Sequence, residues 1–239
     1  MREFGKTHKK FSRIGGYPIP NSLNSKLYSL NSTLLLDAHT HNPEATDAII
    51  SVGPQDTLLP GHLYSIGLHP WHVTPSSTID PIRAIATDPR VVAIGETGLD
   101  RLRGASLADQ QRLLLDHIDL SEELGKPLIL HSVRTAEDLL ALRRRIHSSQ
   151  PWIIHGFRGK PSTAERLLQG GFYLSLGPRF NPETALIIPP DRLLIETDDE
   201  QSATIDTVAQ AVASARAITP RELKELASAN LARLILQKL

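Results

Sequence analysis

The chain has 239 residues, enough for one large domain or two small ones, and its 40% apolar and 22% charged content suits a globular protein with a core of its own. It has no cysteine, which excludes disulfides, thiolate metal ligands and cysteine nucleophiles, so any metal must be held by His, Asp or Glu. The net charge is zero, yet residues 1–33 carry six bases (Arg2, Lys6, Lys9, Lys10, Arg13, Lys26) and one acid (Glu3), leaving 20 bases and 25 acids for 34–239. A body of that sign is not a nucleic-acid binder by its electrostatics alone, and bound divalent cations would offset part of it. No apolar run is long enough to span a membrane. No apolar block follows the basic N-terminus as a secretory signal would require, so a cytoplasmic location is expected, with no membrane partner and no obligate protein partner.

Residues 1–33 are rich in Ser, Asn, Gly and Pro and hold no sustained period. They are expected to be a poorly ordered basic extension, either dispensable or a functional arm. From residue 34 a rhythm begins. Strand-like apolar runs fall at 34–38, 47–52, 63–67, 91–95, 127–130, 152–154, 172–176 and 193–196. Helical patterns separate most of the later ones. Residues 106–124 open with Ser106 and Asp109 in capping-box spacing, place Leu107, Leu114 and Ile118 on one face, and stop at Gly125 and Pro127. Residues 134–147, 161–169 and 202–217 also read as helices. The last helix opens at Thr219-Pro220, with Glu222 at the capping-box position, and buries Leu223, Leu226, Leu231 and Leu234. Strands alternating with helices mean a parallel sheet. Eight strands in this length suggest an α/β fold, a compact and irregular (β/α)8 barrel of the TIM type over 34–239, with an open doubly wound sheet as the alternative.

Polar residues stand where the strands end. The first run leads to His39-Thr40-His41, the fourth to Glu96, the fifth to His131, the sixth to His155 and the last to Asp198. Side chains at i and i+2 of an extended chain share a side, so His39 and His41 can reach one point. The C-terminal ends of barrel strands build the active face of such folds. Six nitrogen and oxygen donors, one of them a carboxylate able to bridge, suit two divalent cations. His39 and His41 would hold one, His131 and His155 the other, and Glu96 would lie between. Asp198 would bind the first ion or its water, and could take the proton from that water as general base. Zn, Mn and Fe suit imidazole ligands, and the shared carboxylates tolerate Mg. Lys126 lies at the wrong end of its strand to serve as a carboxylated bridge.

Taken together, His-x-His after a first strand, Gly-Leu-His-Pro-Trp (67–71), Gly-Glu-x-Gly-Leu-Asp (95–100), Pro-Leu-Ile-Leu-His (127–131), His-Gly-Phe (155–157), Glu-Thr-Asp (196–198) and Asn230 near the end resemble the TatD family of metal-dependent hydrolases. The resemblance leaves residues 1–33 uncovered. It implies a TIM-barrel, amidohydrolase-like fold and a metal-dependent DNase activity, often exonucleolytic, with His39, His41, Glu96, His131, His155 and Asp198 in the family's ligand positions. The chain departs from the family pattern at Arg101-Leu102-Arg103-Gly104, where an aromatic residue is usual. It departs again at Asp199-Glu200-Gln201, where a small residue and Pro are common, and at Gly177-Pro178-Arg179, where many members have Ser-Gly-type turns. These stretches bear on the choice of substrate, not on the ligand set.

Other residues are candidates for contact with substrate. His69 follows a strand and either contacts a phosphate or bonds a turn. Arg134, Arg158 and Arg179 each follow a strand end and could clamp a phosphate, or could make surface ion pairs. Asp100 is expected to orient a ligand rather than to bind metal. Trp71 could stack a base or pack a loop. The expected activity is hydrolysis of phosphodiesters, DNA foremost. A small amide, lactone or phosphoester substrate is the second reading, and a non-catalytic metal-binding module is the third.

Overall fold

A computed structural model describes residues 35–236 and, ahead of them, two short strands, β1 (Phe11–Ile14) and β2 (Tyr17–Pro20), which pair antiparallel. The rest of the extension expected to be poorly ordered lies outside the described residues.

Eight parallel strands close into a barrel: β3 (Asp37–Thr40), β4 (Ala48–Val52), β5 (Leu63–Ile66), β6 (Val91–Asp100), β7 (Leu128–Val133), β8 (Trp152–Ile154), β9 (Tyr173–Leu176) and β10 (Leu193–Ile195). Neighbours follow chain order, and β10 returns to pair with β3. This is the (β/α)8 architecture, and its irregularity is visible in the crossovers. Those from β3 to β4 and from β4 to β5 contain no helix, whereas α1 (Asp80–Ala86), α2 (Leu107–Leu124), α3 (Ala136–Arg145), α4 (Pro161–Gln169) and α5 (Pro182–Ile187) each fill a later one. Helices α6 (Ile205–Ala215) and α7 (Pro220–Ile235) follow β10.

Local chemistry sets the helix limits. Ser106 accepts from the Asp109 amide at the start of α2, and α2 ends just before Gly125. Thr219 and Glu222 exchange both bonds of a capping box at the start of α7. The helices cover the outer face of the barrel, where Leu128, Leu130, Trp152, Ile154, Leu193 and Ile195 join the larger apolar cluster. The alternate positions Ile129, Ile153 and Leu194 belong to a second cluster with Ile49, Ala93 and, from α7, Leu231 and Leu234. Ile129 and Ile153 are two residues before His131 and His155, so they share the inward side of their strands. The apolar floor of the barrel therefore lies directly under the histidines.

The ladder is broken where the site needs it. The β3–β4 pairing shifts register between Asp37 and Thr40, which brackets His39. The β6–β7 pairing shifts between Ile94 and Thr97, which brackets Glu96. A bulge bends its strand and re-aims a side chain. These two irregularities are how strands with outward-facing apolar residues turn a His and a Glu into the barrel mouth.

Candidate metal centre

All six candidate ligands come together around the Glu96 carboxylate. Its Oε2 lies 3.3 Å from His39 Nε2 and 3.4 Å from His41 Nε2. Its Oε1 lies 2.7 Å from His155 Nε2 and 2.9 Å from His131 Nδ1. Asp198 Oδ1 is 3.7 Å from His39 Nε2 and 3.9 Å from His41 Nε2. The two oxygens of one buried carboxylate thus face two different sets of imidazoles. The donors fall into three overlapping groups: His39, His41 and Glu96; His39, His155 and Asp198; and His69, Glu96 and His131. His131 and His155 both reach Glu96 Oε1, yet they fall in different groups, so the simple pairing of these two around one ion is looser than sequence reasoning drew it.

The seam of the barrel positions His39, His41 and Asp198. The Asp198 amide donates to the His39 carbonyl at 3.0 Å and the His41 amide to the Asp198 carbonyl at 3.1 Å. Asp37 braces the same seam, accepting from the Thr197 hydroxyl at 2.6 Å, the Thr197 amide at 3.1 Å and the His39 amide at 3.2 Å. Burial, with the Glu196 charge assisting, pushes the Asp37 carboxyl up to about 7 against the hydrogen bonds that lower it.

The electrostatics favour a positively charged occupant. Burial alone would raise Glu96, but the charge of His155 and the imidazoles packed around the carboxylate hold it well below the usual carboxylate range. Burial opposes charge on His155, and Glu96 and Glu196 overcome this to raise it well above the ordinary imidazole value. His41 is raised mainly by its hydrogen bond to Glu96. Five acids (Asp37, Glu96, Asp100, Glu196, Asp198) surround the cluster, and among them only Asp198 is more than marginally exposed.

The donors fit divalent cations. The His39 ring is fully buried, and neither of its nitrogens has a hydrogen-bond partner among the described residues. A buried polar atom without a partner is costly, and here Nε2 faces two carboxylate oxygens across a gap that a cation would fill. The histidines are also braced from behind, as metal ligands usually are. His131 Nε2 is 3.1 Å from Asp100 Oδ2, and His155 Nδ1 is 3.3 Å from Glu196 Oε1. Glu196 Oε1 also accepts from the Gly156 amide at 2.5 Å. Asp100 thus braces His131, as its position suggested. Glu196 and Asp37 were not singled out from the sequence. An acid at a strand end reads the same whether it faces a metal or the back of a ligand, and the Glu-Thr-Asp string offered Asp198 first.

A cavity of about 1200 Å³ opens over this centre. His69, Arg134, Arg158 and Arg179 all line it. Arg158 Nη2 stands 4.0 Å from Asp198 Oδ2, Arg179 pairs with Glu200 at 3.2 Å, and the Arg134 carbonyl accepts from Arg101. Trp71 is half exposed, donates from its indole to Asp100 Oδ2 at 2.6 Å and carries the Arg103 guanidinium over its ring. His69 lies 3.0 Å from Glu96 Oε1, and burial lowers it despite that carboxylate. His117, given no role from the sequence, is buried and structural: it donates from Nδ1 to the Leu113 carbonyl and accepts the Leu68 amide at Nε2.

Comparison with known proteins gives the same picture. A family model described as TatD related DNase matches residues 38–236. The uncharacterized metal-dependent hydrolase YcfH of Escherichia coli K12 is 28% identical over 251 residues, spanning 84% of this chain and 95% of that protein. The uncharacterized metal-dependent hydrolase TatD of Mycobacterium tuberculosis is 33% identical over 151 residues, 56% of each chain. Among solved structures, the TatD homolog YjjV from Escherichia coli K12 superposes with a TM-score of 0.73 at 22% identity, covering 84% of this chain and 98% of that one. A TatD family hydrolase from Entamoeba histolytica does so at 0.70 and 16% identity, covering 85% and 98%. At these identities the superpositions speak for the barrel alone.

Proposed function

The chain belongs to the TatD family of metal-dependent hydrolases, and from that premise we propose that it cleaves phosphodiester bonds, DNA being the substrate that the matching family's description favours. One observation carries the reading: Glu96 presents Oε2 to His39 and His41 and Oε1 to His131 and His155. That is the arrangement of a carboxylate shared by two cations. Zn, Mn and Mg are the candidate ions.

In this reading His39, His41 and Asp198 would hold one ion and His131 and His155 the other, with Glu96 shared between them. Two such cations, when bound, supply a nucleophilic water near neutral pH and offset charge on the attacking and leaving oxygens of a phosphoryl displacement. Asp198 sits at the rim of the cavity, more open than Glu96, and its carboxylate accepts the proton of the attacking water. Arg158, 4.0 Å from Asp198, is the guanidinium best placed to hold a phosphoryl oxygen beside it. Arg134 and Arg179 reach the substrate further out along the cavity wall. The apolar floor and the closed seam keep the ligand rings from swinging away.

The test is hydrolysis of single-stranded DNA by the wild type with Mg, Mn or Zn, against Glu96→Ala and Asp198→Ala. Removing a ligand or the base is expected to cost about a hundred-fold or more in kcat. Equal turnover by all three proteins rejects the site. A parallel panel of a small amide, a lactone and a phosphomonoester separates the nuclease from a small-molecule hydrolase acting through the same ligands.

A further inference from the structure

The group formed by His69, Glu96 and His131 has the look of a third cation site, but its hydrogen bonds say otherwise. A neutral imidazole carries one proton, and the nitrogen that accepts a hydrogen bond cannot be the one that bears it. Asp100 Oδ2 faces His131 Nε2 at 3.1 Å and also accepts from the Trp71 indole, while Oδ1 accepts from the amides of Leu102 and Arg103. Asp100 is an acceptor throughout, so His131 bears its proton on Nε2 and offers a lone pair at Nδ1. Glu196 Oε1 faces His155 Nδ1 in the same way, so the neutral ring, once a cation has displaced the proton that Glu96 favours, offers its lone pair at Nε2. Both histidines are therefore set to bind a cation.

His69 is set the opposite way. Its Nδ1 accepts the backbone amide of Trp71 at 3.1 Å, capping the short turn Pro70–His72. The proton must then be on Nε2, and what Nε2 faces are acceptors: Glu96 Oε1 at 3.0 Å and the His131 Nδ1 lone pair at 3.2 Å. His69 presents an N–H where the true ligands present electron pairs.

We propose that His69 is not a cation ligand but a fixed hydrogen-bond donor to the substrate, its Nε2–H directed at an oxygen of a tetrahedral oxyanion bound in the cavity. The proposal rests on the phosphodiester reading above and names the group that meets the phosphoryl oxygen. Once Glu96 and His131 are engaged by cations, the Nε2–H loses both internal acceptors and an anionic oxygen takes their place. The donor is held in position from three sides. Trp71 fixes Nδ1, the Trp71 ring stands edge-on to the imidazole with centroids 4.6 Å apart, and the preceding residue Leu68 is tied by its amide to His117 at 3.1 Å. A donor that need not reorganise is what a site for developing negative charge requires.

The test uses inorganic phosphate as the probe and two readouts that do not depend on turnover. Metal per chain is measured by elemental analysis in wild type, His69→Ala, His69→Gln and His131→Ala. Phosphate binding to the metal-loaded proteins is measured by calorimetry. We expect His69→Ala to keep the wild-type metal content and to bind phosphate about ten- to a hundred-fold more weakly, the loss of one hydrogen bond to a charged group. Gln keeps an amide N–H at that reach, so His69→Gln should stay within several-fold of wild type, and it carries the test if the Ala variant does not fold. His131→Ala should lose one ion. Loss of an ion in either His69 variant, or unchanged phosphate affinity in His69→Ala, overturns the proposal. A chain that binds phosphate through His69 but cleaves no DNA would retain this inference while the nuclease reading fails.

Discussion

At the scale of single residues, histidine does three different jobs here, and the partner of the second nitrogen decides which. His131 and His155 back onto carboxylates, His69 onto an amide, and His117 onto a carbonyl and an amide at once. His117 allows a test by pH. It is wholly buried, and burial lowers it from 6.5 to about 4 in spite of its bond to Leu113. The folded protein thus binds this proton more weakly than the unfolded chain. The associated stability is full above pH 6.5 and is lost as pH falls toward about 4, an effect of roughly 3 kcal/mol. Urea unfolding over this window should show a steeper decline in wild type than in His117→Gln; parallel slopes would remove His117 from the account. That these six side chains would gather at one place was legible in the sequence because each stands at or just beyond the end of a β-pattern, where a barrel places its chemistry. The direction in which an imidazole's proton points was not, since it depends on residues far away in the chain. Position 69 could be placed near the site, with phosphate contact and a turn bond as its two alternatives, but not with the direction of its proton.

At the scale of elements, strand positions and the longer helices followed from periodicity, with limits moved by a residue or three. Two short helices did not. Asp80–Ala86 has seven residues and Pro182–Ile187 six, too few turns to establish a period against the surrounding loop signals. The apolar run places the fourth strand at 91–95, because the apolar pattern stops at Gly95. Strand β6 runs on to Asp100. Gly98 explains why: at φ 138° it lies against β7, and a Cβ there would stand 2.1 Å from the His131 carbonyl oxygen. This glycine marks a close approach of backbones beside a ligand, not a reversal of the chain. Gly98→Ala should therefore cost on the order of 3 kcal/mol and disturb His131. Gly171 also has a positive φ, 84°, but nothing lies within 4 Å of its Cβ position, so Gly171→Ala should cost about 1 kcal/mol. Urea midpoints of the two variants compare the effects, and equal losses would mean that the crowding at Gly98 is relieved elsewhere.

At the scale of the whole molecule, five acids and a buried His39 without a hydrogen-bond partner among the described residues are gathered at one end of a barrel. A ligand that binds only the folded state stabilises it by mass action, by about 2.7 kcal/mol at a hundred-fold excess over Kd. Adding EDTA should accordingly lower the melting temperature by about 5–10 °C, and Glu96→Ala should abolish the difference between metal-loaded and chelated samples. A chelator-insensitive melt in the wild type would mean that the cluster holds no ion. No helix among the described residues is long and apolar enough to cross a membrane. The parallel sheet was readable from alternation and spacing, and the strand count favoured a closed barrel over the open doubly wound sheet. Which strands would meet at the join, and that the ligands would straddle it, needed the third dimension.

That join has a consequence for the birth of the protein. Thr40 and Asp198 pair across it although 158 positions separate them along the polypeptide, and His39 waits there for its acidic neighbour. During translation the N-terminal histidines leave the ribosome long before β10 is made. A nascent polypeptide therefore carries only part of this donor set until β10 and the residues just after it have been made.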